Sequence, residues 1–309
     1  MSDLKIHLFG KFSVHFEGQP AQGFDAHKEQ ELLSYLLINR NRPHSREALA
    51  GLLWGDVPTE KSKKYLRQAL WHLQSALEAQ PSDESGGRLL VEHDWVQFCA
   101  HAELWLDVSV FEAAFMLAHD SPGGALEAHA VEALQDAVRL YRGDLLEGWY
   151  HEWCFYERER LQNMYLAMLD KLMCYCEAQQ KFEQGLLYGT LILRYDRAHE
   201  RTHRRLMNLQ YLSGDRTAAL RQFERCAAAL EEELGVKPDK HTSALYQKIR
   251  ADQADAPAHT PSTESVAATA SLADVIRHLK QIQTMLAEIQ NRVQTEIRPD
   301  ELTLSGPAK

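Results

Sequence analysis

Residues 43–77, PHSREALAGLLWGDVPTEKSKKYLRQALWHLQSAL, contain two helical patterns separated by Trp54-Gly55-Asp56-Val57-Pro58. In the first, Ser45 stands where an N-cap belongs and Glu47 falls in the first turn, while Leu49, Leu52 and Leu53 share one side. Gly55 and Pro58 stop this helix, since neither residue favours continuing it. Thr59 is placed to cap the second helix, where Leu66, Leu70, Leu73 and Leu77 form one apolar stripe. At about 100° per residue, the opposite side carries Lys61, Lys64, Gln68, Trp71, His72 and Ser75, flanked by Lys63 and Arg67. A helix, a tight turn and a second helix with a cationic face is how a chain builds a helix-turn-helix for a DNA groove. A charged face is also what an ordinary solvated helix shows. The four clustered cations Lys61, Lys63, Lys64 and Arg67, the outward Trp71 and a candidate hairpin downstream favour DNA over solvent. Leu53 and Trp54 read as structural, closing the turn over the core, so Trp54→Ala carries an expected cost of about 3 to 5 kcal/mol.

Upstream, Leu4 to Phe9 and Phe12 to Phe16 alternate apolar and polar residues around Gly10, the pattern of a half-buried hairpin. Gln30 to Leu37 supplies a helix with Leu32, Leu33, Leu36 and Leu37 inward. Downstream, residues 80–87 are a polar loop, and Leu89-Leu90-Val91 and Trp95-Val96-Gln97-Phe98 flank Glu92-His93-Asp94 as a second hairpin. With Leu53-Trp54-Gly55-Asp56-Val57-Pro58 at its centre, this order resembles the winged-helix domain of the bacterial antibiotic-regulatory activators. That family joins an OmpR-like DNA-binding domain to a bacterial transcriptional activator domain. The resemblance implies a winged helix over residues 1–100. The DNA-contacting set expected there is Arg46, Lys61, Lys63, Lys64, Arg67, Gln68, Trp71 and His72, with Arg88 in the wing.

From about Leu104 to Ala251 the pattern is almost wholly helical, with short turns. Leu172 to Tyr195 and Leu206 to Leu230 align at an offset of 34 residues, which puts Gly185 on Ala219 and Ile192 on Cys226. That period, with a small residue early in the second helix, is the tetratricopeptide signature. Stacked repeats of this kind present a concave surface for peptides or proteins. Asp107 to Phe111, Leu140 to Leu146, Trp153 with Glu157-Arg158-Glu159-Arg160-Leu161, Glu200 to Arg204 and Glu232 to Pro238 resemble, in order, pieces of the bacterial transcriptional activator domain. This implies self-association and contact with transcription partners. Tyr195-Asp196-Arg197-Ala198 lacks the proline that the family usually has at this turn, which predicts a looser turn on the same topology.

The expected fold is therefore mainly α. A winged helix-turn-helix over 1–100, a small sheet plus three helices, is followed over 101–251 by an all-α tetratricopeptide-like repeat. Residues 252–271 lack large hydrophobes and contain Pro257 and Pro261, as a flexible linker does. Residues 272–297 follow as a C-terminal helix, with Leu272, Val275, Leu279, Ile282, Leu286, Ile289 and Val293 along one seam. A coiled coil with a second subunit would cover that seam, and so would packing back onto the repeats. The aromatic cluster Trp149, Tyr150, Trp153, Phe155 and Tyr156 reads as core, packing the second region onto the first or onto the repeats. A ligand pocket or a partner anchor is the other reading.

The 309 residues are 45% hydrophobic and 25% charged, ordinary for two or three folded domains. No run spans a bilayer and the start lacks a signal peptide, so a cytoplasmic protein without membrane partners is expected. The five cysteines lack a Cys-x-x-Cys and read as buried free thiols. His199-x-x-x-His203 reads as a surface pair with no evident third ligand. No phosphate loop, nucleophile elbow or metalloprotease helix occurs, so no catalytic residue, cofactor or metal site is expected. The net charge of −10 opposes nucleic-acid binding overall, yet residues 40–75 carry seven Lys/Arg against three Asp/Glu. The expected function is a sequence-specific transcriptional regulator, an activator binding promoter repeats. Its partners are double-stranded DNA, a second copy of the chain, and RNA polymerase or another transcription protein. The rival is a tetratricopeptide-type interaction scaffold with little DNA binding.

Overall fold

The computed structural model describes residues 4–40, 42–79, 88–99 and 104–251, all within the first of the chain's two units, Met1–Ala256. The loop at 80–87, the linker at 252–271 and the helix at 272–297 lie outside the described residues. The described chain is mainly helical, with two small sheets near its start.

Strands β1 (Leu4–His7) and β2 (Ser13–Phe16) pair antiparallel, with Leu4, Ile6 and Val14 buried as the alternation requires. The short β3 (Gln19–Pro20) pairs with β2. Helix α1 (His27–Ile38) buries Leu32, Leu33, Leu36 and Leu37 completely. After β4 (His44–Ser45), the Ser45 hydroxyl accepts from Ala48 N–H at the start of α2 (Arg46–Trp54). Helix α3 (Thr59–Glu78) buries its leucine stripe. Thr59 does not cap it; Pro58 stands at the cap, with its carbonyl accepting from Lys61 and Ser62 N–H. A hairpin follows, β5 (Leu89–Val91) and β6 (Trp95–Phe98), and β4 pairs with β6 to give a sheet of order β4-β6-β5.

Strand β7 (Trp105–Leu106) runs parallel to β1 and completes the first sheet in the order β3-β2-β1-β7. The residues expected to open the second domain thus finish the sheet of the first. Helices α4 (Asp107–Leu117) and α5 (Ala128–Leu140) lead to the long α6 (Glu152–Ala178). Then come α7 (Phe182–Tyr195), α8 (Glu200–Leu212), α9 (Arg216–Leu234) and α10 (Lys240–Arg250). Gly185 lets α7 approach its neighbours, because a Cβ there would stand 2.9 Å from Leu209 Cδ1 and 3.3 Å from Cys176 Cβ. Ala219, its counterpart at the 34-residue offset, is fully buried beside Met207 and Ile249. At the end of α9, Gly235 adopts φ 65°, the left-handed conformation that closes a helix, and Pro238 follows.

The turn between α7 and α8 is held by side chains in place of a proline. Asp196 accepts from Ala198 N–H at 3.1 Å, and His203 Nε2 pairs with the Arg197 carbonyl at 2.9 Å. His203 is therefore a core residue, 3% exposed and bridged to Gln222, and not one of a surface pair. Burial lowers its pKa and favours the neutral ring. Among the cysteines, Cys154, Cys176 and Cys226 are buried, but Cys99 and Cys174 are only partly so.

A hydrophobic core runs from Leu4 to Leu209. The loop after β1 lies against residues 144–147, with Leu146 N–H on the Leu8 carbonyl, Gly10 N–H on the Asp144 carbonyl and Glu147 N–H on the Gly10 carbonyl. Asp107 lies beneath that loop, 1% exposed. One carboxylate oxygen accepts from Leu8 and Phe9 N–H at 2.8 and 2.9 Å, and the other from Val108 N–H at 2.7 Å. Burial pushes its pKa up to about 6 although those three N–H groups pull the other way.

Candidate nucleic-acid interface

Helix α3 turns its apolar stripe to the core and leaves Lys61, Lys63, Lys64, Arg67, Gln68 and Trp71 exposed, Trp71 by 65%. Among the described residues, no ion pair engages Lys61, Lys64 or Arg67. Lys63 differs, because its Nζ lies 2.8 Å from Glu47 in the first turn of α2. This hydrogen bond holds Glu47 below and Lys63 above their ordinary pKa values. Both groups stand in solvent, so the pair orients Lys63 more than it stabilises the fold.

The β5–β6 hairpin is tied to the start of α2. Arg46 donates from its backbone N–H to the Asp94 carbonyl at 3.0 Å and from its guanidinium to the Glu92 carbonyl at 3.1 Å. Arg46 is half-buried, so it positions the hairpin tip as much as it faces outward. Between Ser45–Glu47, Lys63, Arg67 and the tip residues His93 and Asp94 lies a cleft of about 600 Å³. Its rim carries both signs, with Glu47 and Asp94 opposing Arg46, Lys63 and Arg67.

Two residues expected on this surface are elsewhere. Arg88 is 7% exposed, and its guanidinium donates to the Leu77 carbonyl at 2.6 Å. It satisfies the last turn of α3 instead of serving as a wing cation. His72 is drawn back to α1, with Nδ1 2.5 Å from Glu29 Oε1. A half-turn reading of α3 puts His72 on the outer side, and the neighbouring helix claims it. Trp54 is also not sealed in. It is half-buried against the core, its ring 6.5 Å from that of Tyr65. With about half of a large aromatic to lose, Trp54→Ala is now expected to cost about 1 to 2 kcal/mol. Thermal unfolding checks this; an unchanged melting temperature with lost DNA binding would make Trp54 a contact and not a support.

Side chains whose contacts the sequence did not foretell join the first region to the second. Arg40, just beyond α1, reaches Glu112 of α4 at 2.9 Å, and Arg160 of α6 reaches the same carboxylate at 2.7 Å. Arg158 donates to the carbonyls of Leu145, Leu146 and Trp149, which fixes the α5–α6 connection. The aromatic cluster divides. Trp149 packs on Phe12 and His27, and Trp153 lies edge-on to Tyr35 at 5.3 Å. Tyr150, Phe155 and Tyr156 are exposed by half or more.

Residues 106–250 match the family described as the bacterial transcriptional activator domain. Over 248 residues the chain is 26% identical to the regulatory protein AfsR of Streptomyces coelicolor, covering 78% of this chain but only 24% of AfsR. It is 23% identical over 230 residues to the transcriptional regulatory protein MoaR1 of Mycobacterium bovis and of Mycobacterium tuberculosis, covering 72% of this chain and 71% of MoaR1. The fold is similar to that of Mycobacterium tuberculosis EmbR, solved in complex with a low affinity phosphopeptide. That likeness has a TM-score of 0.62 at 21% identity and covers 91% of this chain and 72% of the solved one.

Proposed function

We propose that this chain, whose residues 106–250 match the bacterial transcriptional activator domain, is a sequence-specific DNA-binding regulator of transcription, acting as an activator in the cytoplasm. In this reading residues 1–100 form a winged helix, α3 enters the major groove, and the β5–β6 hairpin is the wing. The tetratricopeptide-like helices from α6 onward serve self-association and contact with RNA polymerase or another transcription protein. The observation that carries the reading is the outward face of α3. Lys61, Lys64 and Arg67 are exposed there beside Gln68 and Trp71, next to a hairpin held by Arg46. Cations of this kind contact phosphates, and a glutamine can read a base edge.

With Arg88 turned inward and Asp94 at the hairpin tip, the wing adds little positive charge. Affinity then depends on α3 and on pairing two copies of the chain. The sequence seam at 272–297 supports a homodimer. Light scattering of the full chain and of residues 1–251 tests this, with a dimer expected for the full chain and a monomer for the shorter one, and equal subunit number in both counting against it.

The function is tested by fluorescence anisotropy of the full chain with duplexes enriched by it from a random pool. Affinity should fall steeply with salt, with a log–log slope of about −0.9 per phosphate contact. The net charge of −10 favours the second reading, a protein-interaction scaffold. Enrichment of no sequence and a flat salt dependence would establish that reading in place of DNA recognition.

A further inference from the structure

The first turns of α1 carry two groups with metal-ligand chemistry. His27 and Glu31 are four residues apart, one helical turn, and share a face. His27 is exposed and Glu31 is fully buried. Lys28 occupies one oxygen of the Glu31 carboxylate, Oε2, at 2.8 Å, and its ammonium is anchored further on the Leu53 carbonyl at 2.6 Å. The other oxygen, Oε1, is buried without a hydrogen bond. It faces His151, which stands immediately before α6, with Nδ1 at 3.1 Å. One ligand atom each of His27, Glu31 and His151 lies within 4.8 Å of the others. Trp149 packs beside both imidazoles, its ring 4.8 Å from that of His27 and 6.3 Å from that of His151.

A buried carboxylate oxygen without a hydrogen bond is costly; the Lys28 ammonium offsets the charge from the other oxygen, and among the described residues Oε1 itself meets only the His151 ring. Two imidazoles and one carboxylate oxygen around a common point are what a zinc-type cation takes, with bonds of about 2.0 to 2.2 Å. Ligand atoms on such an ion stand about 3.4 Å apart, so rotamer adjustments of about 1 Å bring these three into place. The exposed ring of His27 leaves the solvent side open for the ion to enter and for a water as fourth ligand. Nitrogen donors select against magnesium and calcium, which prefer oxygen cages.

We propose that His27, Glu31 and His151 form a three-ligand site for a zinc-type divalent cation, and that the bound ion fastens α1 to the start of α6. The site joins a helix of the expected DNA-binding region to the opening of a helix in the activator-domain match. Metal occupancy would therefore stiffen the seam between them. Glu31 and His151 are separated by 120 residues of chain, so the ion would close a long-range contact. It needs nothing from the DNA reading.

The test is calorimetric titration of the chelator-stripped full chain with zinc chloride, alongside His27→Ala, His151→Ala and, as a control, His199→Ala. The expected result is one zinc ion per chain at this site. Affinity should drop at least tenfold in His27→Ala and in His151→Ala and stay unchanged in His199→Ala, with no binding of magnesium. Zinc should also raise the melting temperature of the wild type and not that of His27→Ala. His27 is exposed, so its replacement keeps the fold even if Glu31→Gln does not. No zinc binding by the wild type, or wild-type affinity in His27→Ala and His151→Ala, would overturn the proposal.

Discussion

Replacing Asp107 with alanine is expected to lower the stability of the described fold by about 3 to 5 kcal/mol, a large share of the roughly 5 to 15 kcal/mol typical of a native protein. The carboxylate accepts from Leu8, Phe9 and Val108 N–H in a place that water does not reach. Alanine leaves those donors buried and unanswered, each at about 1 to 3 kcal/mol. Asparagine should cost about half as much, because its oxygen still accepts while its amide hydrogens oppose the remaining N–H. Urea unfolding of the three proteins gives the comparison, and a loss under about 1 kcal/mol for alanine would show that the loop after β1 rearranges to recover its bonds. A pH dependence accompanies it. The folded pKa of Asp107 is raised to about 6 from 3.8. The folded state thus binds the proton more tightly than the unfolded one, and stability from this group is greatest below about pH 4 and declines as pH rises toward 6. Asp107→Asn should remove that decline.

The second large effect is expected on DNA. Alanine at Lys61, Lys64 and Arg67 together should weaken binding about a hundredfold near 0.1 M salt and reduce the salt slope by about 3, one unit for each phosphate that loses its cation. The weakening should be similar across sequences, because cations on phosphates hold register without reading bases. Gln68→Ala should instead relax preference at one base pair, by about 1 to 3 kcal/mol. Circular dichroism should show both variants folded, since all four side chains are exposed. A triple variant that binds with the wild-type slope would remove α3 from the interface.

What the amino-acid order determined by itself was local. The step of four, three and four through Leu66, Leu70, Leu73 and Leu77 is a property of one helix, and those residues are buried as it requires. The alternation around Gly10, the leucines of α1 and the stop at Gly55 to Pro58 are equally short-range, which is why strands and helices could be placed from the chain alone. Burial of a side chain that reaches another element is a different matter. His72 has the right angle on α3 to face outward, but Glu29 of α1 stands 2.5 Å away. Arg88 reads as a wing cation until the end of α3 supplies a carbonyl for it. Within the aromatic cluster, the partners Phe12, His27 and Tyr35 draw Trp149 and Trp153 inward, while Tyr150 and Tyr156 remain exposed. His27 and Glu31 stand one turn apart on α1, a pair the sequence reading did not single out, and His151 joins them only because residues 144–147 fold back against the first region. Periodicity reports which face of an element is apolar. Which polar group meets which, across a hundred residues of chain, is decided by the packing of whole elements, and the tertiary structure alone contains it.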